Sequence, residues 1–288
     1  MYPDFLGIGA QKAGTTWLHT NLARHPEIWL PPIKEMHYLD HRPPYLVERL
    51  FGRKQFLKSG RDLLRRRLVE AARGGSREDL AWAARYCLGR RSDDWYCALF
   101  PKIDGKITGE ICPGYARLDG DQVARVYAMM PKTKIIYLIR NPIERAWSGL
   151  AMHFRKDGVG SIEEVAETEI EARLRHPKSW RHGEYAKNLA SWESCYPAEQ
   201  IFVGFFDELL DNPRGQLMEI LGFLGVDNAD DRIPADVDDR RNAGRGEAVP
   251  PRFEGVLARV LAEEVRNLNA RFDNQYTRRW LAYTEERL

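Results

Sequence analysis

The chain has 288 residues, 43% hydrophobic and 30% charged, with a net charge of +2 and a pI near 8.3. That length can bury a substantial core in one domain, and the charge is too mild to argue for nucleic acid or an acidic membrane surface as partner. No apolar run reaches the length of a membrane span and no basic, apolar leader precedes the first strand, so a soluble cytoplasmic protein is expected.

The first apolar run, Phe5 to Gly9, has strand length and leads directly into Gly9-Ala10-Gln11-Lys12-Ala13-Gly14-Thr15-Thr16-Trp17. Gly9 and Gly14 have the spacing of an ATP-binding loop, but Thr15 stands where that loop has its lysine, and Lys12 lies inside it. A strand turning through glycines into a helix still creates an anion site from the first helical N–H groups and the positive dipole end. Thr15 and Thr16 are expected to cap the helix and to donate hydroxyls to the anion. The next cluster, Lys34-Glu35-Met36-His37-Tyr38-Leu39-Asp40, follows two prolines that stop what precedes them. A carboxylate close to cations is what transfer of an anionic group to an alcohol needs.

From about residue 58 to 91 the chain is rich in arginine, including Arg65, Arg66, Arg85 and Arg91, set among leucines, and reads as a basic helical insertion. A solvated helix face with snorkelling arginines is one reading, and a platform for an acidic or polyhydroxyl acceptor is the other. Strands are expected at Ile107 to Ile111, Ile135 to Ile139 and Ile201 to Phe205, separated by segments of helical period. Lys134 to Ile139 is apolar on both faces, as strands of a covered parallel sheet are. The alternation predicts an α/β fold, a three-layer sandwich on a phosphate-binding loop with a central, mostly parallel sheet flanked by helices. Residues 1–288 form one domain in this reading. Ligands of such sheets bind beyond the carboxyl ends of the strands.

Arg140-Asn141-Pro142 ends the Ile135 to Ile139 strand and opens a helix, with Asn141 as cap and Pro142 in the first turn. Arg140 and Ser148, two turns on, suit a second phosphate. A magnesium-dependent kinase needs an aspartate at such a strand end, where this chain has a cation, although Glu110 near the end of the strand before leaves that alternative open. Residues 227–251 read as a loop or flap before a long helix from about Arg252 to Phe272. Cys87, Cys97, Cys112 and Cys195 form no paired motif, the scattered histidines have no i, i+4 register, and no metal is expected.

Three of these clusters together resemble the sulfotransferases that use 3′-phosphoadenosine 5′-phosphosulfate (PAPS). Gln11 to Trp17 looks like that family's 5′-phosphosulfate loop, and Arg140 to Ser148 like its 3′-phosphate segment. Lys34 to Asp40 is similar to the Lys-Glu-x-His-Phe-Phe-Asp segment of the carbohydrate-modifying, heparan sulfate type branch. Gly109-Glu110-Ile111-Cys112-Pro113-Gly114-Tyr115 and Phe223-Leu224-Gly225 match that branch as well, in what resembles a soluble, bacterial-like form.

The resemblance implies that Lys12 contacts the sulfate, with Gln11, Ala13, Gly14, Thr15 and Thr16 around the 5′-phosphate and Trp17 against the adenine. Glu35 becomes the general base, with His37 supporting it. Lys34, His37, Asp40 and Tyr115 become acceptor contacts. Arg140 and Ser148 hold the 3′-phosphate, and Gly244-Arg245 resembles the loop that closes over the cofactor. The implied activity is in-line sulfuryl transfer from PAPS, without a metal, to a hydroxyl or amine of a carbohydrate, lipid or other small-molecule acceptor. One departure is Ile111, where the branch has a lysine that could contact substrate. An ATP-dependent P-loop kinase and a non-catalytic nucleotide-binding module are the competing readings.

Overall fold

The computed structural model describes residues 1–40, 62, 65, 66, 69, 76–159, 162–238 and 248–288. Five parallel strands form the central sheet: β1 (Phe5–Gly9), β2 (Ile28–Trp29), β3 (Ile107–Ile111), β4 (Lys134–Ile139) and β5 (Ile201–Phe205), in the order β2-β3-β1-β4-β5. Four match the expected runs to within a residue. β2 has only two residues, too short for any periodicity to mark it. β1 and β4 are almost wholly buried, which is why their sequences show no polar face.

The chain leaves β1 with β3 on one side and β4 on the other, so the connections that follow β1, β3 and β4 converge at one carboxyl edge. This is the switch point where open α/β sheets form a crevice. It brings Lys12, Gly114 and Arg140 to the same end of the molecule although up to 128 positions separate them.

Helices flank the sheet. α1 (Thr15–Leu22) follows β1, α2 (Arg77–Leu88) and α3 (Asp93–Cys97) precede β3, and α4 (Gly120–Met129) leads to β4. α5 (Pro142–Lys156) follows β4, then come α6 (Glu167–Arg175), α7 (Pro177–Trp180) and α8 (Tyr185–Glu193). α9 (Phe206–Asp211) and α10 (Pro213–Leu224) follow β5, and α11 (Pro251–Phe272) and α12 (Gln275–Glu285) close the chain. α12 was not anticipated. Asn274 caps it by accepting from the Tyr276 and Thr277 amides.

The main core surrounds the sheet. A second apolar cluster joins α5, α6 and α11, with the Trp147 and Phe253 rings 5.6 Å apart. α2 is not a free basic face. It buries Trp82, Ala83 and Tyr86, and Trp82 Nε1 donates to the Leu99 carbonyl at 2.7 Å. Arg65 and Arg66 are helical and exposed, whereas Arg61, Arg67 and Arg73 lie outside the described residues, as do positions 239–247 of the expected flap.

Candidate active site

α1 begins without a side-chain cap. Its N-cap is Gly14 in the left-handed region (φ 90°), and Thr15 and Thr16 occupy the first helical positions, which corrects the expectation that they cap it. A residue with Cβ at 14 would be strained in that conformation and would meet Leu209 Cδ1 at 2.7 Å. The first-turn N–H groups of a helix have no intrahelical partner, so an uncapped start leaves them for an anion.

Lys12, half-buried in the loop at φ 71°, has its ammonium pKa lowered by burial and then by the fields of Arg155, Arg140 and Lys156. The charged groups that shift Lys12 are all cations. Arg140 reaches the loop itself, since Nη1 donates to the Lys12 carbonyl at 3.4 Å. Its Nη2 pairs with Glu144 at 2.8 Å, and the guanidinium lies 4.5 Å from the centre of the Phe206 ring. Ser148 is half-buried on α5. A cluster of cations at an open helix N-terminus fits a multiply anionic nucleotide such as PAPS, and Gln11, Lys12, Gly14, Thr15, Thr16 and Arg140 are the residues here able to hold one.

The 34–40 segment is built differently. Glu110 on β3 is fully buried, and its carboxylate accepts from Tyr96 Oη (2.5 Å), Tyr115 Oη (2.8 Å) and the Met36 amide (3.0 Å). The Tyr115 hydroxyl in turn accepts from the Tyr38 amide at 3.0 Å, and the Glu35 amide donates to the Ile111 carbonyl. From the other side Arg91 Nη2 donates to the carbonyls of Met36 and His37 at 2.8 and 3.2 Å. Backbone donors and acceptors of the segment are thus fixed by buried or half-buried groups. Burial pushes the Glu110 carboxyl up to about 7 against the pull of its three donors. With its oxygens so used, Glu110 holds protein rather than magnesium, and the strand-end acid that kept a kinase open is accounted for.

This clamp imposes left-handed backbone on Glu35 (φ 61°) and His37 (φ 52°). With Lys12 they make three of the four non-glycine residues with positive φ among the described residues, and the fourth, Asp273, ends α11. Each costs roughly 1–2 kcal/mol in an L-residue, a cost that concentrates at functional sites.

The side chains then form a row. Lys34 Nζ donates to Thr16 Oγ1 at 3.2 Å and sits 3.4 Å from Glu35 Oε1. Glu35 Oε2 lies 3.8 Å from His37 Nε2, and His37 Nδ1 is 2.8 Å from Asp40 Oδ2. Burial alone would raise the Glu35 carboxyl, but His37 and Lys34 outweigh it and hold it below the ordinary value. Asp40, then Cys112 and Glu35, raise His37 far above its usual pKa, so it is an imidazolium at neutral pH. Gly114 makes the row possible: a Cβ there would meet Asp40 Oδ2 at 2.6 Å.

Two other expected contacts sit elsewhere. Tyr115 is fully buried with its hydroxyl engaged by Glu110 and Tyr38, so it supports the 34–40 segment from beneath rather than facing an acceptor. Trp17 is 7% exposed, and its Nε1 donates to the Val237 carbonyl at 3.3 Å, tying α1 to the 227–238 segment. Ile111 is buried against Gly7. Gly244 and Arg245 lie outside the described residues.

Tyr96 and Arg91 escaped the sequence as site residues and Glu110 stood there only as a strand-end acid, because Glu110 lies 74 positions from Met36 and Arg91 lies 55 from it, and nothing periodic connects them. Cys112 escaped as well. It stands 3.5 Å from His37 Nδ1, and His37, Asp40 and Cys112 bring one donor atom each within 4.8 Å of one another.

Comparison with known proteins gives this geometry a context. The model of the Sulfotransferase family matches residues 3–231. Human heparan sulfate glucosamine 3-O-sulfotransferase 6 is 31% identical over 204 residues, which cover 62% of this chain and 57% of that protein. The match thus spans little more than half the length of that relative. The solved structure of a sulfotransferase from Alicyclobacillus acidocaldarius superposes with a TM-score of 0.65 at 24% identity, covering 97% of this chain and 99% of that one. A mouse sulfotransferase complexed with PAP superposes with a TM-score of 0.54 at 16% identity, covering 99% and 89% of the two chains. At these identities both show a shared fold.

Proposed function

The chain belongs to the sulfotransferase family, and we propose that it transfers a sulfuryl group from PAPS to a hydroxyl or amine of a carbohydrate or other small-molecule acceptor. The observation that carries this reading is the Lys34 bridge. One ammonium touches both Thr16 at the start of α1 and Glu35, so an ionised carboxylate stands beside an anion site.

Bound PAPS supplies the activated sulfuryl group. The open N–H groups of α1 and Lys12 face the charge that develops on the transferring group and on the leaving phosphate oxygen. Because burial, and then the cations around it, already lower the pKa of Lys12, its proton is more easily shared with that oxygen. Glu35 takes the proton of the acceptor hydroxyl. His37, held cationic by Asp40, orients Glu35 and stabilises its ionised form. Arg140 and Ser148 hold the 3′-phosphate, which distinguishes PAPS from ATP. The relation to a heparan sulfate 3-O-sulfotransferase supports a carbohydrate acceptor. No helix among the described residues is long and apolar enough to cross a membrane.

Incubation with sulfur-labelled PAPS and a panel of glycans, simple alcohols and amines tests the reading. Label transfer to at least one acceptor class is the expected result, with melting raised by 3′,5′-adenosine bisphosphate and not by ATP with magnesium. Stabilisation by ATP alone, with no label transferred, would replace it by a kinase.

A further inference from the structure

Beside the row of site residues lies a cleft lined by Asp40, Gly114, Arg117, Asp119, Gln122 and Arg181. Its two carboxylates are committed. Asp40 is bound to His37 at 2.8 Å, and Asp119 caps α4 by accepting from the Gln122 amide at 3.0 Å. Its arginines are not so matched, since Arg117 has no ion pair among the described residues and its Nε is buried without a hydrogen bond.

Two more orphaned nitrogens lie behind Arg117. His182, 9% exposed, leaves Nδ1 unpartnered, and Arg145, 4% exposed, leaves Nε unpartnered and has no ion pair among the described residues. The tripeptide from 181 to 183 connects the three. Arg181 Nη2 donates to the Arg117 carbonyl at 2.8 Å, His182 follows, and Gly183 packs so closely on Arg145 that a Cβ there would meet Nη2 at 3.1 Å. Burial, then Arg117 and Arg145, push His182 down to about 3, so it is neutral and adds an N–H without adding repulsion.

A buried donor left unmade costs about 1–3 kcal/mol, and more when it carries charge. Two guanidinium groups that both act on one imidazole, each with a buried nitrogen in that condition, and with only the Asp40 carboxylate, already bound to His37, acting on Arg117 and His182, describe a place short of counter-charge. We propose that Arg117, His182 and Arg145 form a second oxyanion site, for a tetrahedral sulfate or phosphate group, distinct from the loop at Lys12. Planar guanidinium forks are suited to such groups, and an anion would fix the His182 proton on Nδ1. The cations around Lys12 are Arg155, Arg140 and Lys156, a different set from those around His182. The site does not depend on the reaction proposed above. The anion is either a free inorganic ion or an ester group carried by the acceptor.

The test is calorimetric titration with inorganic sulfate, with and without saturating 3′,5′-adenosine bisphosphate, on wild type, Arg117→Gln and His182→Asn. Expected is saturable binding that persists with the bisphosphate present, raises Tm by roughly 3 °C at ten times Kd, and weakens about tenfold or more in each variant. Arg117→Lys, which keeps the charge without the fork, should fall between, and it serves if the other variants fold poorly. A sulfated monosaccharide that binds more tightly than inorganic sulfate identifies the acceptor as the source, and equal affinity identifies a free ion. Sulfate that stabilises every variant equally would be general salting and would overturn the site. Displacement of sulfate by the bisphosphate would assign it to the Lys12 loop instead, with the same consequence. Absence of bisphosphate binding would count against the reaction and leave the sulfate comparison intact.

Discussion

The loop at Lys12 and the segment at Glu35 meet at one sheet edge and are built on opposite principles. The first gathers Arg140, Arg155 and Lys156 around Lys12 near an uncapped helix, and the charged groups that shift Lys12 are all cations. The second pairs its charges along Lys34, Glu35, His37 and Asp40, and fastens its backbone to Glu110, Tyr115 and Arg91. Under the proposed reaction the difference matches the two roles. A binding loop gains from standing incomplete until an anion arrives, whereas a base must be aimed before the acceptor does.

Substitutions can separate the two. Glu35→Gln should lower turnover by about 10³-fold while the Kd for 3′,5′-adenosine bisphosphate stays within about twofold, measured by label transfer and calorimetry. Turnover near wild type would remove Glu35 from the role of base and collapse the contrast.

Glu110→Gln probes the clamp. A carboxyl whose folded pKa of about 7 exceeds its unfolded value gives stability that is fully present below the unfolded pKa and is lost as pH rises through the folded one. Wild type should therefore lose about 3 kcal/mol between pH 4 and 8 through this group, and Glu110→Gln should show a flatter profile in denaturant titrations. A profile unchanged by the substitution would mean that Glu110 titrates alike in the folded and unfolded chain and is not raised by burial.

On the binding side, Arg140→Ala should weaken 3′,5′-adenosine bisphosphate about 30-fold and adenosine 5′-monophosphate much less, with kcat at saturation largely retained. Equal losses for both nucleotides would show that Arg140 serves the loop through the Lys12 carbonyl and not a 3′-phosphate. Smallest of all, Lys34→Met should change kcat only about threefold, because its ion pair with Glu35 is partly exposed. A larger fall would make the bridge between the two regions part of the chemistry.

The sequence made the strand, the glycine turn and the helix of the first region readable, but not its cap, since Gly14 and not Thr15 or Thr16 stands at the N-cap. Gly14, Lys12 and Arg140 act through backbone geometry and proximity to a strand end, and both are written in local order. The second region was readable only in its exposed row. Glu35, His37 and Asp40 stand within six positions, but what holds them comes from β3, α3 and the turn before α3. Glu110 looked like a metal ligand because one sequence cannot distinguish a buried acceptor from a solvated one. Tyr115 looked like an acceptor contact for the same reason. The second oxyanion site was illegible: Arg145 belongs to a helix most of whose buried residues join an apolar cluster, and His182 has no neighbour in the chain that suggests a purpose.

The left-handed backbone at Lys12, Glu35 and His37 also predicts where selection for function and selection for stability pull apart. A redesign that scored only folded-state energy would replace all three by glycine or asparagine and gain stability at each. It would thereby erase the charged row and the loop cation together. These positions should therefore be the ones at which the most thermostable sequence for this backbone and the most active one disagree.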